Sequence, residues 1–164
     1  MTLRRYVPWP DKRLRSPAEP IDAVTDEIRT LWDDMIETMD AMPGVGLAAP
    51  QIGVMLQVAV VDASEERGQP VRMANPEILH ASVKLRSHDE ASPNLPGVWA
   101  KIERPRAVTV RFLNEAGDSL EGIVDLWNEN VWLAARGGGI GSYWGNLRSI
   151  GEKVGANGKT SGII

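Results

Sequence analysis

Apolar residues along the chain recur first with helical and then with strand periodicity. Between Ile21 and Met42 the positions Val24, Ile28, Leu31, Met35 and Met39 return at three- and four-residue spacings, with acids between them. This predicts an amphipathic helix over 21–42, stopped by Pro43-Gly44. Beyond it, 55–63 (MLQVAVVDA) and 71–79 (VRMANPEIL) have strand composition, with the turn-like SEERGQP between them. The clearest strand is 106–117, where Val108, Val110 and Phe112 alternate with Thr109 and Arg111. Residues 1–20, rich in Pro and Arg, read as an extended arm. A second helix is expected over 119–135, capped by Asp118 or Ser119, with Leu120, Ile123, Trp127, Val131 and Ala134 on one face. The glycine run Gly137 to Gly141 then opens a tail over 137–164 that is expected to be irregular.

The predicted class is α+β: one helix, several antiparallel strands, then a further helix and a Gly-rich tail. All 11 prolines lie at or before Pro105, whereas 11 of the 16 glycines lie at or after Gly117. That shift divides the chain into blocks 1–114 and 115–164. A net charge of −4 over 164 residues lacks the basic excess that phosphate backbones attract, so nucleic acid is not expected as a partner. No apolar run of about 18 residues suggests a membrane span, and the N-terminal residues lack a secretory h-region; a cytoplasmic location is expected. The absence of cysteine excludes disulfides, thiolate nucleophiles and thiolate metal ligands within these residues.

The sharpest local motif is Gly44-Val45-Gly46-Leu47-Ala48-Ala49-Pro50-Gln51-Ile52-Gly53. Its small residues permit close backbone approach and Gln51 carries an amide donor and acceptor; from the residues alone, a tight helix-to-strand connection is the favoured account. The motif resembles the first signature of peptide deformylases, which remove the formyl group from N-terminal formyl-methionine of nascent bacterial proteins. Pro10-Asp11-Lys12-Arg13-Leu14-Arg15 is similar to that family's opening arm. Glu90-Ala91-Ser92-Pro93-Asn94-Leu95-Pro96-Gly97 resembles its second signature, Glu-Gly-Cys-Leu-Ser followed by an apolar residue, Pro and Gly. The resemblance covers residues 1 to about 113. It implies a deformylase-like fold, a pocket at Gly46, Gln51, Glu90, Ser92 and Leu95, and a formyl-methionyl peptide as the partner.

The departures from the family pattern carry equal weight. The family uses Fe or Zn, held by the second signature's cysteine, where Ser92 stands, and by the histidines of a later His-Glu-x-x-His, whose glutamate is the general base. No histidine follows His88 in these residues. The family's leucine after that cysteine lends an N–H to the oxyanion hole, and its counterpart Pro93 has none. The resemblance thus predicts no bound metal, no cofactor and no deformylation. His80 and His88, eight residues apart among strands and loops, are expected in surface or hydrogen-bonded roles.

From about Glu115 to Ile164 the chain resembles the catalytic (alpha) subunit of ribonucleotide reductases instead, over the string GDSLEGIVDLWNENVWLAARGGGIGSYWGNLRSIGEKVGANGKTSGII. There Asp118 matches the acid that receives an effector's ribose hydroxyl, and Arg148 an arginine facing its phosphates. Some 50 residues without cysteine cannot perform the reductase reaction. The Gly137 to Gly141 run follows a predicted helix instead of joining a strand to one, and 155–160 lacks the first glycine of a phosphate loop. The apolar Ile163-Ile164 end suggests truncation. Three readings follow: an inactive deformylase relative with a surviving peptide pocket, a residual nucleotide-binding fragment, or a chimera without selected function. In the first, the stripe Leu120, Ile123, Trp127 and Val131 is expected to fill the groove that the family's metal-bearing helix occupies.

Overall fold

The structure is a computed structural model that describes residues 2–42, 44–62, 64 and 66–125, and by backbone 153–154 and 158–159, the side chains of 120–125 excepted. Among the described residues up to 125 there are one α-helix, α1 (Asp26–Asp40), and seven strands: β1 (Gly46–Ala48), β2 (Val58–Val61), β3 (Val71–Ala81), β4 (Leu85–Ser92), β5 (Leu95–Pro105), β6 (Ala107–Leu113) and β7 (Ser119–Asp125). Two single 3-10 turns, Lys12–Arg15 and Ala49–Ile52, complete it. The sheet order is β1-β2-β3-β6-β7, antiparallel throughout, and β4-β5 form a separate two-stranded hairpin.

α1 forms where the apolar stripe predicts it but begins five residues later than Ile21. The backbone of Ile21 is engaged elsewhere: its N–H donates to Asn75 Oδ1 (2.8 Å) and its carbonyl accepts from Asn75 Nδ2 (2.7 Å). Asp26 and Glu27 then occupy the first turn, where the helix dipole favours negative charge. Ile28, Leu31, Met35 and Met39 are buried as the stripe requires. They are joined by Trp32, fully buried, whose indole Nε1 donates to Ala59 O (3.1 Å). Leu47, Ala49, Val58, Val60 and Ala74 of the sheet side complete this core. Each large side chain so buried contributes on the order of 1.5–3 kcal/mol.

β6 shows the expected alternation, with Val108, Val110 and Phe112 buried. β3 is bent midway. Asn75 sits at φ 48°, Pro76 has no N–H for the ladder, and the register to β6 shifts between Ala74 and Glu77.

Two expectations are corrected. Residues 119–125 do not begin a helix: they form β7, paired with β6 from Leu113↔Ser119 to Ala107↔Asp125. The cause is the turn before it. Asn114 Oδ1 accepts from Ala116 N (3.0 Å) and Asp118 N (2.8 Å), Asn114 N donates to Asp118 O (2.9 Å), and Gly117 takes φ 85°. This loop reverses the chain, so Asp118 and Ser119 close a hairpin instead of capping a helix. Residues 119–125 therefore extend the first block's sheet. The remainder of the expected helix, 126–135, and with it Trp127 and Val131, lies outside the described residues. In the tail, Lys153–Val154 and Gly158–Lys159 form a short antiparallel ladder where irregular chain was expected; the other tail residues lie outside the described ones. No helix among the described residues is long and apolar enough to cross a membrane.

Candidate functional site

The site is built where β1 runs into the turn Ala49–Ile52 and meets the tip of the β4–β5 hairpin. Gly46 lies in β1 opposite Val61, and the strand is buried along its length. Pro50 within the following turn pre-sets its φ. Gly53 ends it in the left-handed region at φ 84°, with its N–H donating to Pro50 O (3.1 Å). Gln51, 1% exposed, points inward: Oε1 accepts from Ala48 N (2.9 Å) and Nε2 donates to Asn94 Oδ1 (2.9 Å).

The hairpin tip carries Ser92, Pro93, Asn94 and Leu95. Ser92 Oγ stands 3.3 Å from Asn94 Oδ1 and 3.3 Å from Asn94 N, so the hydroxyl belongs to the polar contacts of the turn. Leu95 opens β5 opposite Ser92 and is partly buried. Asn94 Nδ2 donates to Val7 O (2.7 Å) and Gln51 O (2.8 Å), and Asn94 O accepts from Trp9 N (2.8 Å). The N-terminal arm is thereby drawn across the site, and Arg4 and Thr2 fasten its start to the buried Asp34 of α1. Burial of Asp34 favours its neutral form, but bonding from Arg4 and Thr2 outweighs this and keeps the carboxyl below its ordinary range.

Glu90, on the same face of β4 as Ser92, is buried and gripped by Arg104: Nε to Oε1 at 2.9 Å and Nη2 to Oε2 at 3.0 Å. His88 Nε2 lies 3.3 Å from Glu90 Oε1. Burial holds the His88 imidazole below its ordinary pKa, with Glu90 opposing and Arg104 and Arg86 reinforcing the shift. His80, by contrast, is exposed on β3 opposite Thr109, in the surface role expected of it. Among the described residues no group of three or more His, Cys, Asp or Glu is placed to hold a metal ion. Ser92, a neutral oxygen donor bonded to an amide, does not suit Fe or Zn.

A family model described as "Polypeptide deformylase" matches residues 3–133. Peptide deformylase 1 of Burkholderia multivorans is 44% identical over 121 residues, 74% of this chain and 67% of that protein. Peptide deformylase of Cellvibrio japonicus is 43% identical over 121 residues, 74% of this chain and 72% of its own. The chain belongs to the peptide deformylase family. Its fold agrees: the peptide deformylase of Thermotoga maritima superposes with a TM-score of 0.77 at 27% identity, covering 84% of this chain and 95% of that one. That of Ehrlichia chaffeensis, solved in complex with actinonin, gives 0.78 at 30% identity over 88% and 87%. A second model, "Ribonucleotide reductase, barrel domain", matches residues 111–164 and overlaps the first.

Within the deformylase fold, Gln51 and Ser92 both contact Asn94, Leu95 pairs with Ser92 at the hairpin tip, and Gly46 lies in β1, which leads into the Gln51 turn. Glu90 supports the hairpin through Arg104. Asp118 lies apart, exposed in the β6–β7 turn, and Arg148 lies outside the described residues. Two residues that the motif reading did not single out organise the region: Asn94 and Arg104. Asn94 stands in the second signature where the family has serine, which was a visible signal. Arg104 had none, since its role arises only when β5 folds back on β4.

Proposed function

We propose that this deformylase-family protein is a metal-free relative that retains a peptide-binding pocket without the hydrolytic chemistry. The observation that supports this reading is Ser92: it stands in the motif where the resemblance puts the family's metal-binding cysteine, and its hydroxyl is bound into the Asn94 contacts. Three catalytic components are affected together. The thiolate is replaced by a hydroxyl, the His-Glu-x-x-His that would supply two ligands and the base does not occur in these 164 residues, and Pro93 offers no N–H to an oxyanion. What remains suits recognition. Gln51 supplies an amide, β1 at Gly46 supplies backbone groups, and Leu95 supplies apolar surface for a formyl-methionyl peptide.

The test combines elemental analysis of the purified protein, hydrolysis of formyl-Met-Ala, and binding of the same peptide. The expected result is substoichiometric Fe and Zn, no turnover, and binding that weakens in Gln51→Ala. One tight metal per chain, or turnover abolished by Gln51→Ala, overturns the proposal. A second reading, a reductase-derived segment over 115–164 with Asp118 and Arg148 as residual effector contacts, rests on the barrel-domain match alone. It predicts nucleoside triphosphate binding that Arg148→Ala abolishes.

A further inference from the structure

Gln51 is held at both ends of its carboxamide by Ala48 N and Asn94 Oδ1, each at 2.9 Å. The flanking groups are set by Asn94 as well. Its Nδ2 donates both hydrogens, one to Val7 O (2.7 Å) and one to Gln51 O (2.8 Å), while its backbone carbonyl accepts from Trp9 N (2.8 Å). A single residue, 5% exposed, thus joins the arm, the Ala49–Ile52 turn and the hairpin tip. Only a carboxamide can donate twice and accept at the same position. A serine there has one donor, and an aspartate none at neutral pH.

We propose that Asn94 is the positioning residue of the site: with the Ala48 N–H at the other end, it fixes which way the Gln51 carboxamide faces. Oε1 is committed to Ala48 and one Nε2 hydrogen to Asn94, so the second Nε2 hydrogen donates to the carbonyl oxygen of a bound acyl peptide. Without Asn94 only the Ala48 N–H still holds Oε1, so the carboxamide turns more freely and can present its oxygen instead, which repels such a ligand. The peptide step rests on the reading of Gln51 given above. The positioning step does not.

The experiment follows side-chain amides by ¹H–¹⁵N NMR. Wild type is expected to show one Gln51 Nε2 proton protected from solvent exchange, with the Trp32 indole proton, bonded to Ala59 O, reporting on the core. Asn94→Ala should reduce the Gln51 protection roughly tenfold, the loss of about one hydrogen bond, with Trp32 unchanged. Asn94→Asp, which keeps the acceptor for Gln51 Nε2 while losing the donors to Val7 O and Gln51 O, should restore the Gln51 protection. Unchanged Gln51 protection in Asn94→Ala overturns the proposal. If Asn94→Ala loses the Trp32 signal, Asn94→Asp decides: protection with Trp32 intact upholds the assignment, and any other result overturns it. Formyl-Met-Ala titration separates the two levels. No binding to wild type refutes the peptide reading while the exchange data still decide the role of Asn94.

Discussion

Arg104 meets Glu90 side-on, through Nε and Nη2, in two hydrogen bonds of 2.9 and 3.0 Å, and the carboxylate side chain it holds is only 1% exposed. An ion pair so placed contributes little net stability when intact, because both charges were taken from water. Its loss on one side is another matter. Arg104→Met leaves a buried carboxylate without its cation and should destabilise the fold by about 3 kcal/mol or more. Glu90→Leu combined with Arg104→Met should recover most of that loss. Urea denaturation of the two single variants and the double variant closes the cycle. An Arg104→Met protein within about 1 kcal/mol of wild type would show that the pair is not buried in solution.

His88 beside this pair gives the fold a pH dependence. Its folded pKa lies below that of the unfolded chain, chiefly through burial. Below the unfolded value of about 6.5 the unfolded state takes up a proton that the folded state resists. Stability contributed by the neutral imidazole is therefore complete above about pH 6.5 and declines as pH falls toward the lower folded value. Urea midpoints at pH 7.5 and 5.5 should differ in wild type and differ less in His88→Gln. An equal drop in both proteins would assign the pH dependence to other groups.

Helix α1 and strand β6 were legible because one face of each is buried, and burial imposes a period that the residues must follow. Trp32 was not in the stripe, although the core closes on it. β7 was misread for a physical reason. Leu120 and Ile123 stand three apart, as on a helix, and Gly122 interrupts any strict alternation, so the local pattern does not choose between the two periods. Pairing with β6 and the side chain of Asn114 decide it, and both are contacts across the turn. The β4–β5 hairpin was invisible for the opposite reason. Most of its positions are exposed, so polar residues such as Asp89 and Lys101 face each other without leaving an apolar signature. In the site, motif spacing located Gln51 and Ser92. The Gln51–Asn94 contact joins residues 43 apart and could not be read from either motif alone.

Gly53 tests how tightly the arm is fitted to the site. A Cβ at this position would come 2.9 Å from Arg13 Nη1 and 3.4 Å from Val7 Cγ2, and φ 84° is unfavourable for any L-side chain. Arg13 cannot swing away freely, since Asp11 holds its Nε and Nη2 at 3.1 and 2.8 Å. Gly53→Ala should therefore destabilise by about 1–2 kcal/mol from backbone strain. The Val7 amide, bonded to Gln51 O at 2.8 Å, should exchange faster in the variant. Wild-type exchange at Val7 in a destabilised variant would mean that the strain is absorbed elsewhere.

Restoring the family's cysteine alone should not restore a metal site. Ser92→Cys supplies a thiolate, but Fe or Zn requires two or three further ligands converging within about 2.0–2.3 Å of one point. Glu90 and His88 occupy the same face of β4 at two and four residues from position 92. At about 3.4 Å per residue His88 is about 14 Å away along the strand, too far to share an ion with a thiolate at that position. Glu90 is nearer, yet both its oxygens are engaged by Arg104, whose fixed positive charge repels a cation. Elemental analysis of Ser92→Cys after dialysis against Zn should show far less than one metal per chain, and formyl-Met-Ala should remain uncleaved. Stoichiometric zinc in that variant, lost again when Ser92→Cys is combined with Glu90→Gln or His88→Gln, would instead reveal a ligand set that the strand spacing and the Arg104 contact argue against.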